Sequence, residues 1–164
     1  SSSTFSQVGA EIIGKTIDPI GTSVIINKGS EHSISKGDPV IVGKGILIGK
    51  IISVEPRTAM LRLISDSQSR IAASVLNREG SIGVVEGGYG ISVRMNFIPQ
   101  NEHVSPGDMV ISSGLEPSIP HGLLIGFIEV VERKAHEPFQ EAAIRTAYHP
   151  NLNRLVSVII DLPY

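Results

Sequence analysis

Five histidines are the side chains best suited to proton transfer or metal ligation: His32, His103, His121, His136 and His149. Two of them follow a glutamate, as Glu31-His32 and Glu102-His103. A neighbouring carboxylate can orient an imidazole, which is what a general base or a metal ligand needs. No two histidines have the H-x-x-x-H spacing of a ligand pair, and no third ligand stands close by in sequence. Loop residues copied along with a turn are the plainer reading. A serine nucleophile is the second possibility. His32, Asp66 and Ser113 follow one of the chain orders found in hydrolytic triads, and Ser113-Gly114 is the nearest thing to a nucleophile loop. The Gly-Asp-Ser-Gly setting that shapes such an oxyanion hole is absent, and order without geometry is a weak signal. Gly87-Gly88-Tyr89-Gly90 lacks the Lys-Ser/Thr and the following helix that cradle a phosphate, so it reads as a hairpin turn. Asp38 and Asp108 are most simply turn residues whose carboxylates accept from backbone N–H groups. No catalytic residue, cofactor or metal is assigned.

Those two aspartates mark the unit that positions everything else. Pro106-Gly107-Asp108 is a turn, and Met109-Val110-Ile111 is a short apolar strand after it. The run from Leu123 to Val131 is apolar on both parities apart from Gly126 and Glu129, the pattern of a strand covered on both faces. Gly126 marks a bend or bulge within it. The same unit occurs earlier, as Lys36-Gly37-Asp38-Pro39-Val40-Ile41 followed by Gly45 to Glu55. Asp38 and Asp108 are 70 residues apart, whereas Gly45/Gly122, Gly49/Gly126 and Glu55/Glu132 are each 77 apart. The second copy therefore carries a seven-residue insertion at about Leu115 to His121. Internal repeats decide the fold, and two copies indicate a duplicated β unit rather than a solenoid. Gly29, Gly37, Asp38, Gly49, Gly107, Asp108, Gly114, Gly122 and Gly126 are expected to be structural, each at a turn or bend.

With 41% hydrophobic and 18% charged residues the chain folds rather than staying disordered. Aromatics are 4%, so the core must be Ile, Val and Leu, which favours strands. A net charge of −2, with no basic run, gives no electrostatic footprint for nucleic acid or anionic lipid. Without cysteine there is no disulfide or thiolate chemistry, and the compartment stays open. No apolar stretch approaches the ~20 residues of a membrane span, and no signal peptide is visible. Residues 1–7 read as a linker or the cut edge of a longer chain.

Strands are expected at Val8–Ile17, Thr22–Asn27, Pro39–Val42, Ile46–Val54 and Thr58–Ile64, with Asp18-Pro19-Ile20-Gly21 as the first turn. Ser67–Leu76 fits a short helix or a strand, and the repeat favours a strand. Further strands are Ser81–Glu86, Ile91–Phe97, Phe139–Ala147 and Leu155–Ile160. Ile91, Val93, Met95 and Phe97 alternate as the inward face of one of them. The expected fold class is all-β: two tandem six-stranded antiparallel β-barrels related by internal duplication. The first spans 8–77 and the second 78–164, with strand exchange across the boundary open. Each is near the lower size limit for its own core, so the two should pack together.

Val24-Ile25-Ile26-Asn27-Lys28-Gly29-Ser30, the Lys36 to Val40 turn and the Gly45 to Ile51 run resemble MreC, the bacterial rod-shape-determining family. Val104 to Leu115 and Pro120-His121-Gly122-Leu123-Leu124-Ile125-Gly126 continue the likeness, which runs from about Val8 to Ile160. Where the family usually has a glycine pair and an aromatic before Pro120, this chain has Glu116-Pro117-Ser118-Ile119, and it continues to Leu162-Pro163-Tyr164. The resemblance implies a non-catalytic scaffold of cell-wall elongation on the extracytoplasmic (periplasmic) side, anchored by an upstream membrane helix and coiled coil. Implied partners are the class B penicillin-binding transpeptidase, MreD, the MreB/RodA complex and other copies of itself. On the residues, Glu116, Pro117, Ser118 and Ile119 are a candidate loop for a partner to read, since loops on rigid barrels often carry function. The alternatives are a chymotrypsin-like double-barrel hydrolase built on His32, Asp66 and Ser113, and a peptidoglycan-binding module. Sugar binders stack on aromatics, and there is no Trp.

Overall fold

Residues 5–18, 21–148 and 154–161 are described by the computed structural model. Their strands are β1 (Ser6–Asp18), β2 (Gly21–Ile26), β3 (Pro39–Val42), β4 (Ile46–Val54), β5 (Ala59–Leu63) and β6 (Arg70–Val75). These are followed by β7 (Ile82–Tyr89), β8 (Ser92–Pro99), β9 (Met109–Ser112), β10 (Leu124–Glu132), β11 (Phe139–Thr146) and β12 (Leu155–Asp161). One 3-10 turn, Ser30–His32, is the helical part of the described residues, and no helix among them is long and apolar enough to cross a membrane.

Hydrogen bonding closes these strands into two antiparallel rings. The first runs β1-β2-β5-β4-β3-β12 and returns to β1. The second runs β6-β7-β8-β11-β10-β9 and returns to β6. Closure leaves so apolar a set of strands without open edges. Among the described residues one parallel strand pairing joins the rings, Leu124 with Ile46, where Leu124 N–H donates to Gly45 C=O at 2.9 Å.

Strand exchange occurs across the expected division at residue 77. Arg70–Val75 pairs inside the second ring, and Leu155–Asp161 pairs with β1 and β3 of the first. In hydrogen-bonding terms the second ring is inserted between β5 and β12 of the first. Strand periodicity reports which faces are buried but not which distant strand is the partner, so the sequence pattern could not place β12. Ser67–Leu76 does hold a strand, and β1 begins at Ser6 within the expected linker. Pro19, Ile20, His149, residues 1–4 and Leu162-Pro163-Tyr164 lie outside the described residues.

The duplication is visible bond by bond. Gly37 N–H donates to Ile51 C=O and Gly107 N–H to Ile128 C=O, both at 2.8 Å. Ile51 N–H donates to Asp38 C=O and Ile128 N–H to Asp108 C=O, both at 2.9 Å. Gly49 and Gly126 are also equivalent. A Cβ on Gly49 would lie 2.2 Å from Arg62 C=O, and one on Gly126 would lie 2.1 Å from Arg145 C=O. Both long strands need glycine because a neighbouring backbone crosses where a side chain would stand.

The core forms two clusters, and their membership explains the strands that are apolar on both parities. Val40, Val42, Ile48, Ile51, Val156 and Val158 fill the first ring. Ile41, Leu47 and Ile159, on the opposite faces of β3, β4 and β12, instead join the cluster of the second ring. Each such aliphatic side chain contributes about 1.5–3 kcal/mol when fully buried. Three strands of the first ring thus serve its own interior and the interface at once. In β10 double coverage ends at Ile128, and Val130 is exposed.

Two local expectations are overturned. The Gly87 to Gly90 hairpin turn is shifted, because β7 continues through Tyr89. Gly87 is needed for proximity: its Cβ would lie 2.1 Å from Asp66 C=O in the segment joining the rings. The alternation of β8 also breaks. Val93 and Met95 are fully buried, but Ile91 is 82% and Phe97 55% exposed, and Ile98 takes the inward place.

Gly49→Ala and Gly126→Ala are each expected to lower unfolding stability by about 1–3 kcal/mol or more, the range for forced overpacking. Gly9→Ala, where nothing lies within 4 Å of the added methyl, should fall within about ±0.5 kcal/mol. Urea denaturation of the three variants checks the contrast.

Candidate interaction surfaces

The groups that looked fit for chemistry are engaged in local bonds. His32 Nδ1 accepts from Gly29 N–H at 3.2 Å, inside the 3-10 turn. His103 Nε2 lies 2.9 Å from Ser105 Oγ. Asp66 is 9% exposed and orders the inter-ring segment: its Oδ2 accepts from Thr22 N–H at 2.7 Å and its Oδ1 from Gln68 N–H at 2.8 Å. Ser113 Oγ accepts from Leu115 N–H at 3.2 Å. Fully buried Ser112 donates its hydroxyl to Pro120 C=O at 2.6 Å. Among the described residues no hydrogen bond joins His32, Asp66 and Ser113, so the hydrolase alternative gains no support from these contacts. Among the described residues no group of three His, Cys, Asp or Glu could hold a metal.

Asp38 and Asp108 do what the turn chemistry implies. Ser35 N–H donates to Asp38 Oδ2 at 2.8 Å, and Ser105 N–H donates to Asp108 Oδ2 at 2.9 Å. Each aspartate follows a glycine with positive φ, 96° at Gly37 and 92° at Gly107, a backbone region that disfavours other residues. Asp38 is buried, and burial raises its carboxyl above the ordinary aspartate range despite the opposing bond from Ser35. Gly29 packs on the backbone of Glu55 and Thr58, while Gly114 and Gly122 take φ of 79° and 100° in the loop between β9 and β10.

The loop at Glu116 to Ile119 was expected to face a partner, and two of its residues turn inward. Glu116 Oε2 accepts from Lys50 Nζ of β4 at 2.5 Å, and its Oε1 accepts from Ala72 N–H of β6 at 3.0 Å. One carboxylate thus ties the first ring to the second. Ile119 is 2% exposed and belongs to the second core. Pro117 remains on the surface, beside the 70% exposed Leu115. A charged residue in a Gly/Pro/Ser insertion reads as solvent-facing, because sequence does not reveal that a lysine and an unpaired N–H await it.

The surface feature that sequence reasoning missed lies on β8 and β11. Asn96 and Phe97 together oppose Glu141, a β-bulge that gives Phe97 a φ of 65°. For a bulky residue this is an outlier costing about 1–3 kcal/mol. The bulge turns Phe97 outward against Phe139, with ring centroids 5.6 Å apart and planes at 84°. The two rings floor a cleft of about 340 Å³ bordered by Glu132, Lys134, Glu137 and Glu141. Arg94 holds Glu132 at 3.0 Å and Glu141 at 2.9 Å, which fixes two of those carboxylates. A second cleft of about 310 Å³, between Ile13, Lys15, Val24, Leu63 and Tyr148, lies on the first ring.

The family model described as rod shape-determining protein MreC, barrel core, matches residues 12–160. The chain belongs to the MreC family. The cell shape-determining protein MreC of Escherichia coli (strain K12) is 29% identical over 124 residues, covering 74% of this chain and 33% of that protein. The solved MreC of Listeria monocytogenes superposes with a TM-score of 0.84 at 26% identity, over 94% of this chain and 75% of that one. A complex between a penicillin-binding protein (PBP2) and MreC from Helicobacter pylori contains a chain matching at TM-score 0.73 and 16% identity, over 96% of this chain and all of that one. At that identity the likeness is one of fold. The chain spans between 33% and 59% of the length of the first curated MreC relatives it matches. Those relatives are named for cell shape and not for a reaction.

The raised Asp38 carboxyl gives a pH signature. A group whose folded pKa lies above its unfolded value contributes stability below the unfolded pKa and loses it as pH rises through the folded one. Asp38→Asn keeps an acceptor for Ser35 and removes the titration. Its stability relative to the parent should therefore improve as pH rises from 3 to 7, as read by thermal unfolding, and a flat or opposite trend contradicts the assignment.

Proposed function

We infer that this chain is the docking part of an MreC-type scaffold, which helps to maintain cell shape by binding proteins of the wall-elongation machinery and catalyses nothing. The observation that carries the reading is the joined pair of closed barrels. Asp38, Asp108, Asp66 and Glu116 serve internal bonds, and the interface of the barrels is tied by β12, the Ile41–Leu47–Ile159 cluster and the Glu116 bridge. A body of this kind keeps its surface patches at fixed separation, so proteins bound to it are held in a fixed relation. Loops and side chains on such a rigid frame are where recognition concentrates.

The first partner in this reading is the class B penicillin-binding transpeptidase. The Helicobacter pylori complex supports it, since an MreC of the same fold is there joined to a penicillin-binding protein. MreD, the MreB/RodA complex and further copies of the chain are the other partners. The place of action is the extracytoplasmic face of the bacterial cytoplasmic membrane, held there by an upstream membrane helix. A relative solved as the major periplasmic domain of MreC supports that placement.

The immobilised chain should bind the purified extracytoplasmic domain of its own organism's class B transpeptidase saturably in biolayer interferometry. A folded chain, verified by circular dichroism, that binds none of it would sink the reading.

A further inference from the structure

The cleft on the first ring has aliphatic walls and polar side chains that can all donate. β1 and β2 fall out of register between Ile12 and Gly14, which makes Ile13 the extra residue of a β-bulge. Successive residues of a regular strand point to opposite faces, and a bulge suspends that rule. Ile12 and Ile13 therefore both line the cleft of about 310 Å³, together with Val24 of β2 and Leu63 of β5. Ile12 packs against the first core, whereas Ile13 is 52% exposed. The volume falls at the lower end of the range for small-molecule sites, about 300–1,000 Å³.

Lys15, Arg154 and Tyr148 supply the polar part of the lining, and no carboxylate or amide side chain stands among them. Arg154 is held beside β1: its C=O accepts from Ile12 N–H at 2.8 Å, and its Nη2 donates to Ile12 C=O at 3.4 Å. Neither Lys15 nor Arg154 has an ion pair among the described residues. In a chain of net charge −2 the cleft is thus a local patch of positive charge. Tyr148 is 7% exposed, and its hydroxyl has no hydrogen-bond partner among the described residues. Burial raises its pKa above the ordinary tyrosine value, so the proton stays on at neutral pH and is free to be donated. A buried donor without an acceptor is costly until something accepts from it. Donors without acceptors select an anion, and aliphatic walls select a hydrocarbon body. Two cations are too few for a bilayer surface, which is read by clusters of about 4–8 Lys or Arg. We propose that this cleft binds one small amphiphile, an aliphatic chain ending in a carboxylate, with the chain against Ile12, Ile13, Val24 and Leu63 and the carboxylate on Lys15, Arg154 and the Tyr148 hydroxyl. The proposal is independent of the docking reading above and needs no protein partner.

Titration of the nitrogen-15-labelled chain with octanoate, hexanoate and octanol, followed by amide chemical shifts, tests it, with thermal unfolding of every variant. Octanoate should bind saturably, with shifts centred on β1, β2 and the end of β5. It should bind more tightly than hexanoate by about threefold for each added methylene. Octanol, which brings the same body without the charge, should bind about tenfold more weakly than octanoate. Lys15→Gln combined with Arg154→Gln should erase that preference and leave the melting temperature unchanged, since both side chains are exposed. Shifts that do not saturate, or an octanoate affinity unaltered in the double variant, overturn the proposal. Should the double variant melt lower, the parent decides alone, and equal affinity for octanoate and octanol overturns it. Binding of phosphatidylglycerol vesicles without octanoate binding would mean a membrane surface. Binding of a peptide ending in a leucine carboxylate without octanoate binding would mean a chain end, and either result also overturns the proposal.

Discussion

The pairing of β12 with β1 and β3 is the constraint on which the rest of the molecule depends. The first ring is made of five strands from the N-terminal part of the chain and one, Leu155–Asp161, from its far end. Without that strand, β1 and β3 would each present a row of unpaired N–H and C=O groups over an apolar interior, which is costly when buried and sticky when exposed. With it, the first ring is closed by a strand that lies beyond every strand of the second ring in sequence. The same strand supplies Val156 and Val158 to one core and Ile159 to the other, so the strand that closes the first ring also packs against the second.

This arrangement accounts for the character of the surface between the rings. Duplicated barrels joined by a flexible tether would turn independently. Here Ile41 and Leu47 face the neighbouring core, Glu116 spans from Lys50 to Ala72, and Asp66 fastens the connecting segment to Thr22. A scaffold acts through geometry, and geometry is only transmitted if the parts do not swivel. The polar side chains that looked most like catalytic equipment serve that stiffness. The exposed aromatic pair, in contrast, contributes little to the core and carries local strain.

Much of the fold was legible because the duplication left matching marks. Gly37 and Gly107 with Asp38 and Asp108, then Gly49 and Gly126, sit at corresponding turns and crossings, and the bonds around them agree within about 0.1 Å. The strands followed from alternation and turn residues. Three things were not legible. The partner of β12 is set by three-dimensional closure and not by any local pattern. The reversal at Phe97 needs a bulge, and a bulge inverts the apparent face of every later residue in the strand without changing the composition. The inward turn of Glu116 depends on a lysine 66 residues away in sequence and on a backbone N–H that no side-chain pattern reveals.

Hydrogen exchange on the chain truncated after residue 153, compared with the whole chain, tests the central claim most directly. If β12 closes the first ring, amides of β1 to β5 should lose most of their protection while those of β6 to β11 keep theirs. Full protection of β1 to β5 in the truncated chain would show that the first ring stands without its distant strand, and would contradict the account.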